Sequence, residues 1–167
     1  MISKILHPEI CQSLIQSFEN SDQKERIDND AKPRFTQVNL GQNPYLVQRA
    51  KTAIDIYREL LGPRSWYLPP VKYMEEFRIK KYDSETKDQF KEHVDVVNHA
   101  TARRCLALLF YLNEPELGGQ THFPLHGRII EPETGSVLVF PPTWEYPHAG
   151  LPASGTKYIM STYLHYG

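Results

Sequence analysis

Residues 103–142 read RRCLALLFYLNEPELGGQTHFPLHGRIIEPETGSVLVFPP. Apolar or alternating segments at Arg103–Leu112, Arg128–Glu131 and Ser136–Phe140 are separated by Asn113-Glu114-Pro115, Gly118-Gly119, Pro132, Gly135 and Pro141-Pro142. Glycine and proline at these points supply turn conformations and interrupt strand pairing, so each segment is a separate short strand. The same grammar extends outward, to Val71–Tyr82 and Phe90–Val96 upstream and Lys157–His165 downstream. Short strands at this spacing, with no helical period between them, predict an antiparallel sandwich or barrel.

Before Gly62 the period is helical. His7–Phe18 places Ile10, Leu14, Ile15 and Phe18 on one stripe, with Pro8 tolerated in the first turn. Asn43-Pro44, a cap followed by a first-turn proline, opens a second helix through Leu46, Val47, Ala50, Ala53, Ile54, Tyr57 and Leu61, closed by Gly62-Pro63. Between the two, Asn20–Pro33 alternates in charge without apolar periodicity and reads as a solvated loop, and Arg34–Leu40 reads as a short strand. Helices followed by strands give an α+β chain: residues 1–62 a helical N-terminal support packed on the outside, residues 71–165 a jelly-roll, cupin-like core. At 167 residues and 19.4 kDa a single domain, 1–167, is expected.

Composition narrows the function classes. Ten Tyr, 7 Phe and 2 Trp supply the bulk for a packed core and exclude a disordered chain. A formal charge of -1 gives no general attraction to phosphate backbones or anionic membranes, so nucleic acid is not the expected partner. No apolar run reaches the roughly 20 residues that cross a bilayer, and residues 1–20 lack an apolar leader core, so a cytoplasmic location is expected. Cys11 and Cys105 are far apart with no CxxC spacing and are expected as reduced thiols.

Three residues could carry metal chemistry. His93 and Asp95 stand two apart in a strand-like segment, so both side chains leave on one face. Alone, the pair reads better as a surface strand histidine pairing with an aspartate. His148, in a later strand or its entry turn, supplies a third ligand. Two imidazoles and one carboxylate form the facial triad of non-haem Fe(II) oxygenases, which leaves three coordination positions open. His122 and His126 are spaced across Pro124, where no helix aligns them, and are rejected as a metal site. His7, His99 and His165 have no ligand-spaced partner. Trp144 and Tyr146 could line a substrate mouth or cap the core, and Asp83–Gln89 reads as a lid or a solvated connection.

The C-terminal half resembles the 2-oxoglutarate and Fe(II)-dependent dioxygenases of the prolyl 4-hydroxylase type. The markers run in order from Phe77 to Tyr163: Arg78-Ile79-Lys80-Lys81-Tyr82, His93-Val94-Asp95, Gly118-Gly119-Gln120-Thr121-His122-Phe123-Pro124, Gly135–Phe140, and His148-Ala149-Gly150-Leu151-Pro152 with Gly155–Tyr158. The resemblance implies a double-stranded β-helix with Fe(II) on His93, Asp95 and His148. It also implies that Lys157, nine residues after His148, meets the far carboxylate of 2-oxoglutarate, that the Tyr82 hydroxyl touches the same group, and that Thr121 and Phe123 line the pocket. O₂ is then the oxidant, succinate and CO₂ the coproducts, and ascorbate the expected reductant. The implied reaction is hydroxylation of an unactivated C–H bond, with a peptidyl proline as the expected substrate. Tyr146-Pro147 and Tyr163 depart from residues common in relatives, and no secretory signal like that of collagen-modifying relatives is expected. An oxygenase acting on a free amino acid, small molecule or nucleobase, and a non-enzymatic cupin-like module binding metal or ligand, are the alternatives.

Overall fold

The structure, a computed structural model, describes residues 1–29 and 33–167. Helix α1 spans Pro8–Asn20 and α2 spans Pro44–Leu61. Asn43 caps α2 as expected, its side chain accepting from the backbone N–H groups of Tyr45 and Leu46. The strands are β1 (Glu25–Asp28), β2 (Arg34–Gly41), β3 (Val71–Met74), β4 (Phe77–Asp83), β5 (Phe90–His93), β6 (Arg104–Tyr111), β7 (Thr121–Phe123), β8 (Arg128–Ile130), β9 (Val137–Phe140), β10 (His148–Gly150) and β11 (Thr156–Tyr166). Seven form one antiparallel sheet in the order β1-β2-β4-β11-β6-β9, with β3 also pairing β11; four form a second, β5-β10-β7-β8.

Two apolar clusters explain this layering. Ile79 on β4, Leu106, Leu108 and Phe110 on β6, and Tyr158, Met160 and Leu164 on β11 face outward and pack with Cys11 and Phe18 of α1 and Leu46, Ala50, Ala53 and Ile54 of α2. The alternate residues, Tyr82, Ala107, Tyr111, Ile159 and Tyr163, face inward to Phe123 of the smaller sheet. The larger sheet is thus covered on both faces, which is why β11 is buried along nearly its whole length. The smaller sheet closes over the inner face, giving a double-stranded β-helix with the helices outside.

Two expectations need correction. Glu25–Asp28, read as loop, is the edge strand β1, paired with β2 from Glu25↔Gln37 to Asp28↔Arg34. Its polar side chains carry no apolar alternation because an edge strand is held by backbone bonds and buries little; residues 30–32 of the same expected loop lie outside the described residues. Val71–Tyr82, read as one strand, is two: β4 pairs the first half of β11 and β3 its end, with the break at Glu75-Glu76. Glu75 turns its carboxylate inward to Arg104, at 2.6 and 3.0 Å, and to His165 at 2.8 Å. His165 therefore has a partner that sequence spacing did not reveal. The cysteines are free thiols.

Candidate active site

His93 ends β5 and His148 begins β10, and the two are cross-strand partners in the register of the smaller sheet. Their ring centroids are 4.3 Å apart. Asp95 follows β5 by two residues, its N–H donating to the Pro142 carbonyl just after β9. The distance from His93 Nε2 to Asp95 Oδ1 is 3.7 Å and from His148 Nε2 to Asp95 Oδ2 3.6 Å. One ligand atom from each of the three lies within 4.8 Å of the others. Among the described residues no other group of three His, Cys, Asp or Glu meets that test.

Both imidazoles are set for ligation through their second nitrogen. His93 Nδ1 donates to the Lys91 carbonyl at 2.7 Å and His148 Nδ1 to the Tyr146 carbonyl at 3.1 Å, which leaves both Nε2 lone pairs aimed at the shared space. Burial, with the neighbouring His148 adding to it, pushes the His93 imidazole down to about 4, and burial also lowers His148. Both rings are neutral at neutral pH, the form that binds metal. The Asp95 carboxylate is held from behind by the Tyr163 hydroxyl, which donates to Oδ1 at 2.7 Å. Arg104 lies over the Tyr163 ring, 3.8 Å from guanidinium carbon to centroid, and donates to the Asp95 carbonyl at 3.1 Å. Sequence reading missed Arg104, Glu75 and the Tyr163 contact, because no local spacing announces a network joined across β3, β6 and β11.

The three lie at one side of a cavity also lined by Tyr82, Phe90, Thr121, Phe140, Lys157 and Ile159. Lys157 is 3% exposed and pairs in register with Tyr82 on β4. Among the described residues its ammonium has no hydrogen-bond or ion-pair partner, and it lies 5.8 Å from the Tyr82 ring and 5.7 Å from that of Tyr111. Burial pushes it down to about 8. The stem has room because Gly119 carries no side chain: a Cβ there would come within 3.3 Å of Lys157 Cδ. The Thr121 hydroxyl lines the cavity while bonded to the Tyr111 hydroxyl at 2.7 Å, a partner the sequence did not disclose. His122 pairs with Ile129 and Ala149, and the His126 Nε2 bonds the Glu145 carbonyl at 2.8 Å, so neither belongs to the cluster. Tyr146 stacks on His126 with centroids 4.6 Å apart, while Trp144 is 75% exposed.

The sequence profile of the 2OG-Fe(II) oxygenase superfamily matches residues 77–165. The chain belongs to that superfamily. The oxygenase is similar in fold to a viral collagen prolyl hydroxylase of Paramecium Bursaria Chlorella virus-1 solved with 2OG, at TM-score 0.74 and 22% identity over 99% of this chain and 94% of the other. A prolyl-4-hydroxylase of Pseudomonas putida aligns at TM-score 0.71 and 20% identity, covering 98% and 90%. A prolyl hydroxylase of Trichoplax adhaerens, solved with a hypoxia inducible factor oxygen degradation domain peptide, aligns at 0.74 and 17%, covering 98% and 81%. No curated protein sequence matches the chain.

The oxygenase is therefore an Fe(II)- and 2-oxoglutarate-dependent dioxygenase, and its cavity fits both groups. Two nitrogens and a carboxylate are the donor set of a facial site. Donors about 2.1 Å from an ion on one octahedral face stand ~3 Å apart, so the observed 3.6 and 3.7 Å need only a small contraction. A buried ammonium without an anion fits a dicarboxylate, which would complete its hydrogen bonds.

Proposed function

We propose that His93, Asp95 and His148 hold Fe(II), that Lys157 with the Tyr82 hydroxyl receives the far carboxylate of 2-oxoglutarate beside Thr121, and that the enzyme hydroxylates a prolyl residue in a peptide. The observation that carries this is the placement of a metal-binding triad and an orphan ammonium on the walls of one cavity. Iron and 2-oxoglutarate supply the oxidation, consuming O₂ and releasing succinate and CO₂ as a C–H bond becomes C–OH. The chain's own residues supply geometry. The Nδ1 bonds fix both imidazoles, Tyr163 fixes one carboxylate oxygen of Asp95, and Phe90 and Phe140 keep the cavity dry. In this reading α1 and α2 of residues 1–62 support the core within one domain, while β1 and β2 of that segment, expected outside it, extend its larger sheet.

The prolyl substrate is supported by the shared fold of three enzymes whose names specify prolyl hydroxylation, one of them bound to a peptide. An open polar cleft beside the metal cluster, lined by β2, β4 and β6, offers room for an extended chain. Incubation with Fe(II), 2-oxoglutarate and ascorbate should add one oxygen to proline-containing peptides by mass spectrometry, with succinate formed in proportion. Succinate that rises with a free amino acid or an oligonucleotide but with no prolyl peptide would show that the substrate is of another class.

A further inference from the structure

The cavity wall carries a second lysine, Lys80, that makes no hydrogen bond or ion pair among the described residues, with Asp95 and Glu75 acting on it only through space. On β4, Arg78, Lys80 and Tyr82 share the inward face, and Lys80 stands opposite Ile159, two residues along from the Tyr82–Lys157 pair. At strand rise the two lysine positions are offset by about 7 Å. Lys157 lines only the cavity that holds the triad, whereas Lys80 lines both that cavity and the neighbouring cleft, together with Phe90, Asp95 and Tyr163. The Lys80 ammonium lies 5.0 Å from the Phe35 ring and 5.8 Å from the Phe90 ring, and Phe90 is stacked on the His93 imidazole at 3.4 Å. One aromatic ring separates this charge from a proposed iron ligand.

The other cations of the cleft are occupied. Arg104 and Arg78 pair with Glu75, and the one acid facing them from β1, Glu25, accepts from Gln37. Among the described residues of the cleft, Lys80 is the cation that makes no hydrogen bond and no ion pair. In the loaded site Asp95 and the two carboxylates of 2-oxoglutarate offset the divalent ion and Lys157, which leaves the charge of Lys80 over. Stacking against two rings holds the ammonium in place but does not neutralise it.

We propose that Lys80 recognises a carboxylate of the substrate, carried next to the carbon that is hydroxylated. The assignment rests on the prolyl reading for the reacting residue and adds its neighbour: an aspartate or glutamate adjoining the proline, or the proline's own C-terminal carboxylate. Burial, which pushes Lys80 down to about 8, fits an ammonium that gains from an arriving anion.

The test uses peptides that share one proline and differ beside it: Asp or Glu, the matching Asn or Gln, Lys, and a C-terminal proline as acid or amide. Binding is measured by calorimetry and turnover by oxygen incorporation, for the parent enzyme, Lys80→Met and Lys80→Glu. The parent should favour acids over their amides roughly tenfold in affinity and in kcat/KM, as one charge-assisted pair gives. Lys80→Met should erase the difference and Lys80→Glu should favour the Lys peptide. Circular dichroism spectra and thermal midpoints close to the parent's in both variants show the fold intact. Preference for the side-chain acid or for the C-terminal acid identifies the source of the carboxylate. Equal binding of acids and amides by the parent, or a preference that survives Lys80→Met, overturns the proposal. Lys80-dependent acid binding without oxygen incorporation into any prolyl peptide would leave it standing and remove the prolyl reading instead.

Discussion

The Lys157 ammonium is desolvated on every side except the cavity, so its worth depends on what enters. On the proposed role, Lys157→Ala would leave the dicarboxylate without its partner, a loss on the order of 3–5 kcal/mol, and titration should show 2-oxoglutarate affinity falling by two to three orders of magnitude with divalent-ion affinity retained. The pH dependence has a definite sign. With the free ammonium at about 8 and the bound one higher, affinity is full below about 8 and declines as pH rises through it, and binding takes up about half a proton at that pH and approaches one above it. Calorimetry in buffers of different ionisation enthalpy measures that uptake. Tyr163→Phe removes only the hydroxyl that orients Asp95 and should weaken Mn(II) or Fe(II) binding about 10-fold, with little change in thermal midpoint once metal is saturating.

At the scale of elements, β5 and β10 are short strands joined at the His93–His148 pair, with a register irregularity beyond it. A divalent ion bridging the two rings should therefore slow amide exchange in residues 90–93 and 148–150 far more than in β6 or β11, which deuterium uptake with and without Mn(II) can follow. Gly135 shows the opposite kind of constraint. It sits at φ +81, and a Cβ there would meet the Leu6 carbonyl oxygen at 2.1 Å, in the segment whose Ile2 bridges Val137. Gly135→Ala should cost about 2 kcal/mol or more by chemical denaturation, through the strained φ and the displaced N-terminal segment. These elements differ in how plainly the sequence announces them. The capped α2 and the apolar β6 and β9 carry their signals locally, in Asn43-Pro44 and in runs bounded by Gly and Pro. The strand β1 does not, since Glu25-Arg26-Ile27-Asp28 is held by pairing with β2 and by Arg26, which donates to both oxygens of buried Asp88 at 2.7 Å. That contact also makes the 83–89 connection more than a solvated loop. Of the site, the three ligand-type residues were readable from two-residue spacing and from a distal histidine in a known motif. Arg104, Glu75 and Tyr111 were not, because each acts through partners 9 to 90 positions away in the chain.

For the whole molecule, the buried histidine sets a limit on acid tolerance. His93 is held at about 4 in the fold and returns to about 6.5 when unfolded, so the unfolded chain binds the extra proton between those values. Stability of the metal-free oxygenase should be full above about 6.5 and fall as pH drops toward 4, by on the order of 3 kcal/mol from this residue. Thermal midpoints across that range, with His93→Phe as the comparison, check the sign and size.

The strand β11 lies at the middle of the larger sheet, paired with β4, β6 and β3, and it carries both Lys157 and Tyr163. Of the described strands it is synthesised last. Until Thr156–Tyr166 has been synthesised, the inner edges of β4 and β6 have no neighbour, and neither apolar cluster can close. A chain short of β11 has open edges on β4 and β6, the condition under which strands self-pair. Chains truncated after residue 150 should remain protease-sensitive from β4 onward, whereas chains extended through Tyr166 should be protected across the sheet.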